Sequence, residues 1–265
     1  MAQKSVWRTT HEKEFVQVFQ DLSVRMGPWR AWSDFITVTA IAFANFFEPN
    51  SSIKTDREGA FQSIMKAYTD DERKKIESLA QITVSAYEQN PQQDFLGELY
   101  MRLDFGDSWH GQYFTPWPIA YVMAQMTLGP EKQQLDEKGY ISVCDPACGA
   151  GCMLLAAAAT YQDSSDTPTY QDDVLFVGQD LDRNVALMCY IQLSIRGCAG
   201  YVAIGDSLVN PVSGHDLFPA IGDGGELWFT PYWYSPVWTF RRLKLLAEYH
   251  AQEANQYEHN EEQVG

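Results

Sequence analysis

Residues 145–151 read Asp145-Pro146-Ala147-Cys148-Gly149-Ala150-Gly151, and this turn decides the fold. It lies between Tyr140–Cys144, a short β-rich run, and an Ala- and Leu-rich helical stretch that begins at Met153. Gly149 and Gly151 let the backbone approach a ligand closely and adopt angles closed to other residues. A dinucleotide fingerprint would want a third glycine at position 154, where the chain has Leu154. An acid ahead of the glycines would repel a pyrophosphate. It suits a ligand with a cationic end.

Working outward, a polar stretch (Gln162–Gln171) leads to a second strand at Val174–Val177, which ends in Gly178-Gln179-Asp180. That places a carboxylate where a nucleoside ribose offers two hydroxyls. Arg183–Arg196 reads as a helix and Tyr201–Ile204 as a third strand, ending in Gly205-Asp206, where Asp206 is placed to accept from an adenine amino group. A Gly-, Pro- and Asp-rich loop precedes a fourth strand at Glu226–Phe229, and a last helix spans Val237–Ala251. Strands separated by helices predict βαβ units and a parallel sheet. Singly, each acid reads as a helix cap or a solvated loop residue; three at successive strand ends read as a nucleoside pocket.

The first hundred residues carry helical spacing. Phe15, Val18, Phe19 and Leu22 form one stripe, and Phe35, Val38, Ile41, Ala42 and Phe46 another. A third helix starts after Thr69 as N-cap, with Asp70, Asp71 and Glu72 where the helix dipole favours negative charge. Its apolar side carries Ile76, Leu79, Ala80, Ile82 and Thr83, and Asn90-Pro91 ends the region. The expected organisation is a helical region over 1–106, an α/β domain over 107–250 and an acidic tail over 251–265.

The 265 residues carry a formal net charge of −16, which disfavours nonspecific contact between the whole surface and a phosphate backbone. A local basic face or a basic partner stays compatible with it. No apolar stretch reaches the roughly 20 residues of a membrane span and the amino terminus has no signal pattern, so a cytoplasmic protein without membrane association is expected. The five cysteines are odd in number and read as free thiols. Cys144, Cys148 and Cys152 fall four apart with no histidine nearby, whereas zinc sites use shorter steps, so no metal is expected.

Gly111-Gln112-Tyr113-Phe114-Thr115-Pro116, upstream of the Asp145-Pro-Ala-Cys-Gly turn, resembles the N6-adenine DNA methyltransferases, above all the modification subunits of type I restriction systems. Gln93–Tyr100 resembles that family's helical lead-in, and the likeness runs from about Asp94 to Trp233. The resemblance implies a Rossmann-like α/β sheet that binds S-adenosylmethionine (SAM). Tyr113, Phe114, Thr115 and Pro116 would line the cofactor. Asp145, Cys148, Gly149 and Gly151 would surround its methionine part, Asp180 its ribose and Asp206 its adenine.

In that family a [DNS]-P-P-[FYW] motif ends the fourth strand. Its first side chain and a backbone carbonyl accept the protons of the adenine amine, and its aromatic stacks on the flipped base. Here the matching strand ends in Thr230-Pro231-Tyr232-Trp233, with Thr230 for the amide or acid and Tyr232 for the second proline. Asn210-Pro211-Val212 has the amide and lacks the aromatic. Position favours Thr230, Pro231, Tyr232 and Trp233 as the group holding the target base. The sheet reads as shortened after Trp233. Trp228, Trp233, Tyr234 and Trp238 with Arg241, Arg242 and Lys244 read either as a base-stacking, phosphate-holding surface or as core aromatics under a solvated face.

The resemblance implies a SAM-dependent methyltransferase acting on adenine N6 in DNA, with a specificity or other protein subunit as a partner. The alternative is a catalytically inactive SAM-binding or decoy subunit of a methyltransferase or restriction complex. The cofactor half leaves RNA and protein open as acceptors.

Overall fold

A computed structural model describes residues 9–105, 113–128, 135, 137–164 and 169–262, with side chains up to residue 251. Gly111 and Gln112, and the end of the tail at 263–265, lie outside the described residues.

Helices α1 (Thr10–Met26), α2 (Pro28–Phe47), α3 (Ser51–Lys66), α4 (Asp70–Gln89) and α5 (Phe95–Arg102) form the amino-terminal region. Thr9 and Glu12 make a reciprocal capping box at α1, and Thr69 and Glu72 make another at α4, each worth about 1 kcal/mol. Arg25, at the end of α1, clasps Glu72 at 2.6 Å and ties the two helices together. The predicted stripes are largely buried. Ala42 and Phe46 are the correction: Phe46 is 81% exposed, because the buried arc of α2 is centred on Trp32, Phe35, Ile36 and Thr39. Helix α3 buries no residue fully, which is why no stripe announces it.

After α6 (Trp117–Thr127) come β1 (Ile141–Asp145), α7 (Cys152–Ser164), the short α8 (Tyr170–Asp173), β2 (Val174–Asp180), α9 (Arg183–Ile195) and β3 (Ala199–Ile204). A hairpin, β4 (Ser213–His215) with β5 (Phe218–Ala220), precedes β6 (Glu226–Phe229), a 3-10 turn (Pro231–Tyr234) and α10 (Pro236–Glu262). Helix α10 carries the expected tail region on as helix to Glu262.

The sheet order is β1-β2-β3-β6. β1, β2 and β3 are parallel, with Asp145 opposite Gly178 and Asp180 opposite Ile204. β6 runs antiparallel to β3, correcting the all-parallel expectation. The reason is the connection: no helix separates β3 from β6, and a parallel return needs a helical crossover.

Alternate residues face opposite ways. Ile141, Phe176, Val202 and Trp228 join a core shared with the amino-terminal helices, α7 and α9. Tyr140, Leu175, Val177 and Tyr201 pack under Leu217, Trp233 and Trp238 on the other face. Phe15, Phe19, Phe35, Tyr100 and Phe105 surround the Trp32 ring. Cys144 of β1 is exposed, while the other four thiols are buried. No helix among the described residues is long and apolar enough to cross a membrane.

Candidate functional site

The carboxyl ends of β1, β2 and β3 open side by side, and the predicted pocket residues meet there. The turn after β1 is stitched to the end of β2: Cys148 N donates to Gln179 O at 2.9 Å and Gly149 N to the Asp180 carboxylate at 2.8 Å. The second Asp180 oxygen accepts from Asp182 N at 2.9 Å, and Asp180 O accepts from Gly205 N at 2.9 Å. Asp206 closes a turn by accepting from Leu208 N and Val209 N. Each carboxylate oxygen offers about two acceptor sites, so these acids keep capacity for a ligand beyond their structural bonds. Asp145 accepts from Ala147 N at 3.1 Å. Burial pushes its carboxyl above the usual range, and the negative charge of Asp180 pushes the same way. Among the described residues neither Asp145 nor Asp180 has an ion-pair partner. The crevice is an electronegative recess that a cation would relieve.

Gly149 adopts φ +51° under the Phe114 ring, whose edge lies 3.1 Å from where a Cβ would stand. Phe114 in turn stacks on Tyr100 with centroids 5.4 Å apart, so the Tyr113–Pro116 segment lies against the glycine turn. Thr115 and Pro116 line a groove of about 350 Å3 with Asp94, Glu98 and Arg102, while Tyr113 is largely exposed.

Motif reading missed the residue that holds this turn from below. Gln192 of α9 is fully buried; its Nε2 donates to Ala150 O at 2.7 Å and to Asp94 Oδ1 at 2.8 Å. Its Oε1 accepts from Leu96 N at 2.8 Å and from the Tyr87 hydroxyl at 2.5 Å. One amide therefore joins the glycine turn, α4 and the start of α5. A glutamine inside the otherwise apolar run Val185–Leu193 was the available signal.

Asp94 caps α5 by accepting from Gly97 N at 3.0 Å, and burial pushes its pKa up to about 6 against the lowering effect of Gln192 and Gly97. A buried acid raised above its unfolded value of about 4 contributes stability when protonated, and that contribution is lost as pH rises through about 6. Between pH 7 and 5 the wild type should gain about 1 kcal/mol over Asp94→Asn, read from urea midpoints at each pH. A difference that stays constant with pH would show that Asp94 carries no such shift.

The expected target-base group lies elsewhere. Because β6 is antiparallel, Thr230 sits at the amino end of β3, at the far end of the sheet from Asp145, Asp180 and Asp206. It is fully buried, its hydroxyl donates to Cys198 O at 2.7 Å, and Gly200 N donates back to it at 3.0 Å. Pro231 opens the following turn, Tyr232 bonds Asp172 at 3.1 Å, and Trp233 is buried against Tyr201 and Phe229. The segment closes the sheet and does not reach the crevice. The nearby aromatics are likewise core: Trp228 and Trp238 are buried, Arg241 donates to Asp172 O and Gly139 O, and Arg242 stacks on Trp233 at 4.3 Å. Asn210, in contrast, stands beside the crevice, where its backbone carbonyl accepts from Gln179 at 2.9 Å and its side chain holds Gly222.

Residues 92–221 match the model of the N-6 DNA methylase family. The N-6 DNA methylase match takes in Asp94, the glycine turn, all three strand-end acids and Asn210, and it stops before Thr230. Among solved structures, a class I S-adenosylmethionine-dependent methyltransferase from Listeria monocytogenes is similar at 14% identity and a TM-score of 0.37, over 77% of this chain and 60% of that one. The chain thus spans about 60% of the length of that structure. No curated protein matches the sequence.

Proposed function

We propose that this chain binds SAM at the carboxyl ends of β1, β2 and β3 and transfers its methyl group to the exocyclic amine of adenine in DNA. The observation that carries the cofactor reading is the pair of acids, Asp145 and Asp180, around a glycine turn, with no cation among the described residues to balance them. They fit the amino and sulfonium charges of SAM. Asp145, Cys148, Gly149 and Gly151 would hold its methionine part, Asp180 its ribose and Asp206 its adenine, with Phe114, Thr115 and Pro116 covering the turn. Bound there, SAM supplies an electrophilic methyl group.

The match of residues 92–221 to the N-6 DNA methylase family supports adenine N6 and DNA as acceptor. With Thr230 locked into the sheet, Asn210 is the amide on the crevice side. Its carbonyl oxygen, released from Gly222, would accept a proton of the target amine and Pro211 would fix the turn. Positioning carries the rate, since no covalent nucleophile is required. The charge of −16 makes a basic protein subunit a fitting partner for holding the DNA.

A second reading, SAM binding without transfer by this chain, is favoured by the burial of Thr230. Incubation with methyl-labelled SAM and unmethylated DNA, followed by digestion to nucleosides, separates the two. Labelled N6-methyladenine that falls at least about tenfold in Asn210→Ala supports transfer. SAM binding with no label supports the second reading, and label in another base or in protein refutes the adenine assignment.

A further inference from the structure

We infer that Gln179 is a positioning residue that sets the Asn210 amide against the cofactor crevice, an inference that rests on the reading of Asn210 as the group that meets the target amine. On the sheet face that carries Leu175 and Val177, the next position of β2 is Gln179, polar where those two are apolar and only 4% exposed. A buried amide needs partners. Its Nε2 donates to Gly205 O at 3.2 Å and to Asn210 O at 2.9 Å, and its Oε1 accepts from Val212 N at 3.0 Å. One side chain thus spans the loop that carries Asp206 and the segment that carries Asn210. Through its backbone the same residue holds the glycine turn, since Gln179 O accepts from Cys148 N at 2.9 Å.

The bonds to Asn210 O and Val212 N fall on either side of Pro211, which has no N–H of its own to donate. Gln179 therefore fixes the backbone from Asn210 to Val212 and leaves the Asn210 side chain outside its grip. That side chain bonds the 222–223 loop instead: Oδ1 accepts from Gly222 N at 2.9 Å, and Nδ2 donates to Gly222 O at 3.3 Å and Asp223 O at 3.5 Å. A target amine can replace Gly222 N at Oδ1 by a side-chain rotation, with the backbone unmoved. Without the Gln179 amide, the segment hangs from the bond of Asn210 N to Asp206 O and from the 222–223 loop. The cofactor side loses less. Gly205 N still donates to Asp180 O, and Asp206 still accepts from Leu208 N and Val209 N. Loss of Gln179 should thus displace the acceptor amide while the strand-end acids stay in place. A reacting pair misplaced by about 1 Å loses on the order of 100-fold in rate.

Gln179→Met keeps an unbranched side chain of similar length and removes all three side-chain bonds. Its kcat at saturating SAM and DNA, read as labelled N6-methyladenine per SAM-binding chain, should fall about 10- to 100-fold, while SAM affinity changes less than about threefold. Counting only SAM-binding chains removes the loss of folded protein that a purely structural role would cause. By hydrogen exchange the Val212 amide should lose protection, and the Cys148 amide, bonded to the backbone of residue 179, should keep it. Gln179→Glu keeps the acceptor for Val212 N but, ionised, cannot donate to Asn210 O. It should lose kcat and retain Val212 protection, and it serves where the methionine variant does not fold. Asn210→Ala, assayed alongside, separates this inference from the reading beneath it. If that variant is as active as wild type, or wild type labels no adenine, the acceptor assignment falls and the inference with it. If Asn210→Ala loses activity while Gln179→Met keeps wild-type kcat, loses SAM affinity in the same proportion, or keeps Val212 protected, the positioning role of Gln179 alone is overturned.

Discussion

Gln192→Leu should lower stability by about 3 kcal/mol, roughly 6–12 °C in the thermal midpoint, and should also abolish detectable SAM binding. Leucine is one heavy atom smaller and differently branched, so a modest packing defect adds to the main cause, which is polar. Asp94 Oδ1 and the Tyr87 hydroxyl keep Gly97 N and Gln93 O as partners, but Ala150 O and Leu96 N both lose their bond to the side chain. Each is buried beyond the reach of water, and an unsatisfied buried group costs roughly 1–3 kcal/mol. Partial relaxation keeps the sum below the arithmetic total. The link to ligand binding runs through Ala150, which lies between the two turn glycines, so its release loosens the turn itself. Gln192→Glu is the informative companion. It keeps the shape and the acceptor but brings a second acid beside Asp94, so its defect should shrink as pH falls. Thermal melts and a SAM titration on the three proteins check this, and a variant as stable as wild type would remove Gln192 from the account.

Gly151→Ala should be almost as damaging, at about 2–4 kcal/mol, with loss of SAM binding. Gly151 adopts φ +94°, where any Cβ is strained, and that Cβ would stand 2.7 Å from Cys189 Sγ and 3.3 Å from Cys189 Cα. The sulfur can be trimmed while the backbone cannot. Adding Cys189→Ala should therefore restore part of the stability and leave the contribution of the backbone angle. Urea denaturation of the single and double variants reads both contributions. A single variant within about 0.5 kcal/mol of wild type would mean that the turn has room that the structure denies it.

The turn at 145–151 announced itself because its constraints are local. Two glycines, a preceding acid and a strand-to-helix transition leave few backbone paths, and Asp180 and Asp206 follow from the same strand-end geometry. The antiparallel return of β6 was hidden for the opposite reason. Glu226–Phe229 has the same composition whichever way it runs, and the direction is set by the helix-free connection after Ile204. That single reversal places Thr230 at the far end of the sheet from the strand-end acids, bonded to Cys198 and Gly200. Gln192 escaped notice because its partners lie 42, 96 and 98 residues earlier in the chain, and no spacing rule connects them.

The most direct test of the central claim, that strand-end acids hold a cationic nucleoside cofactor, is calorimetric titration of SAM into the wild type, Asp145→Asn and Asp180→Ala. The account predicts one site per wild-type chain. It predicts affinity about tenfold weaker in Asp145→Asn, where one charge is lost and the bond from Ala147 N is kept, and no measurable binding in Asp180→Ala, where the turn also loses its anchor at Gly149. No binding by a folded wild type, or equal affinity in all three proteins, would contradict it.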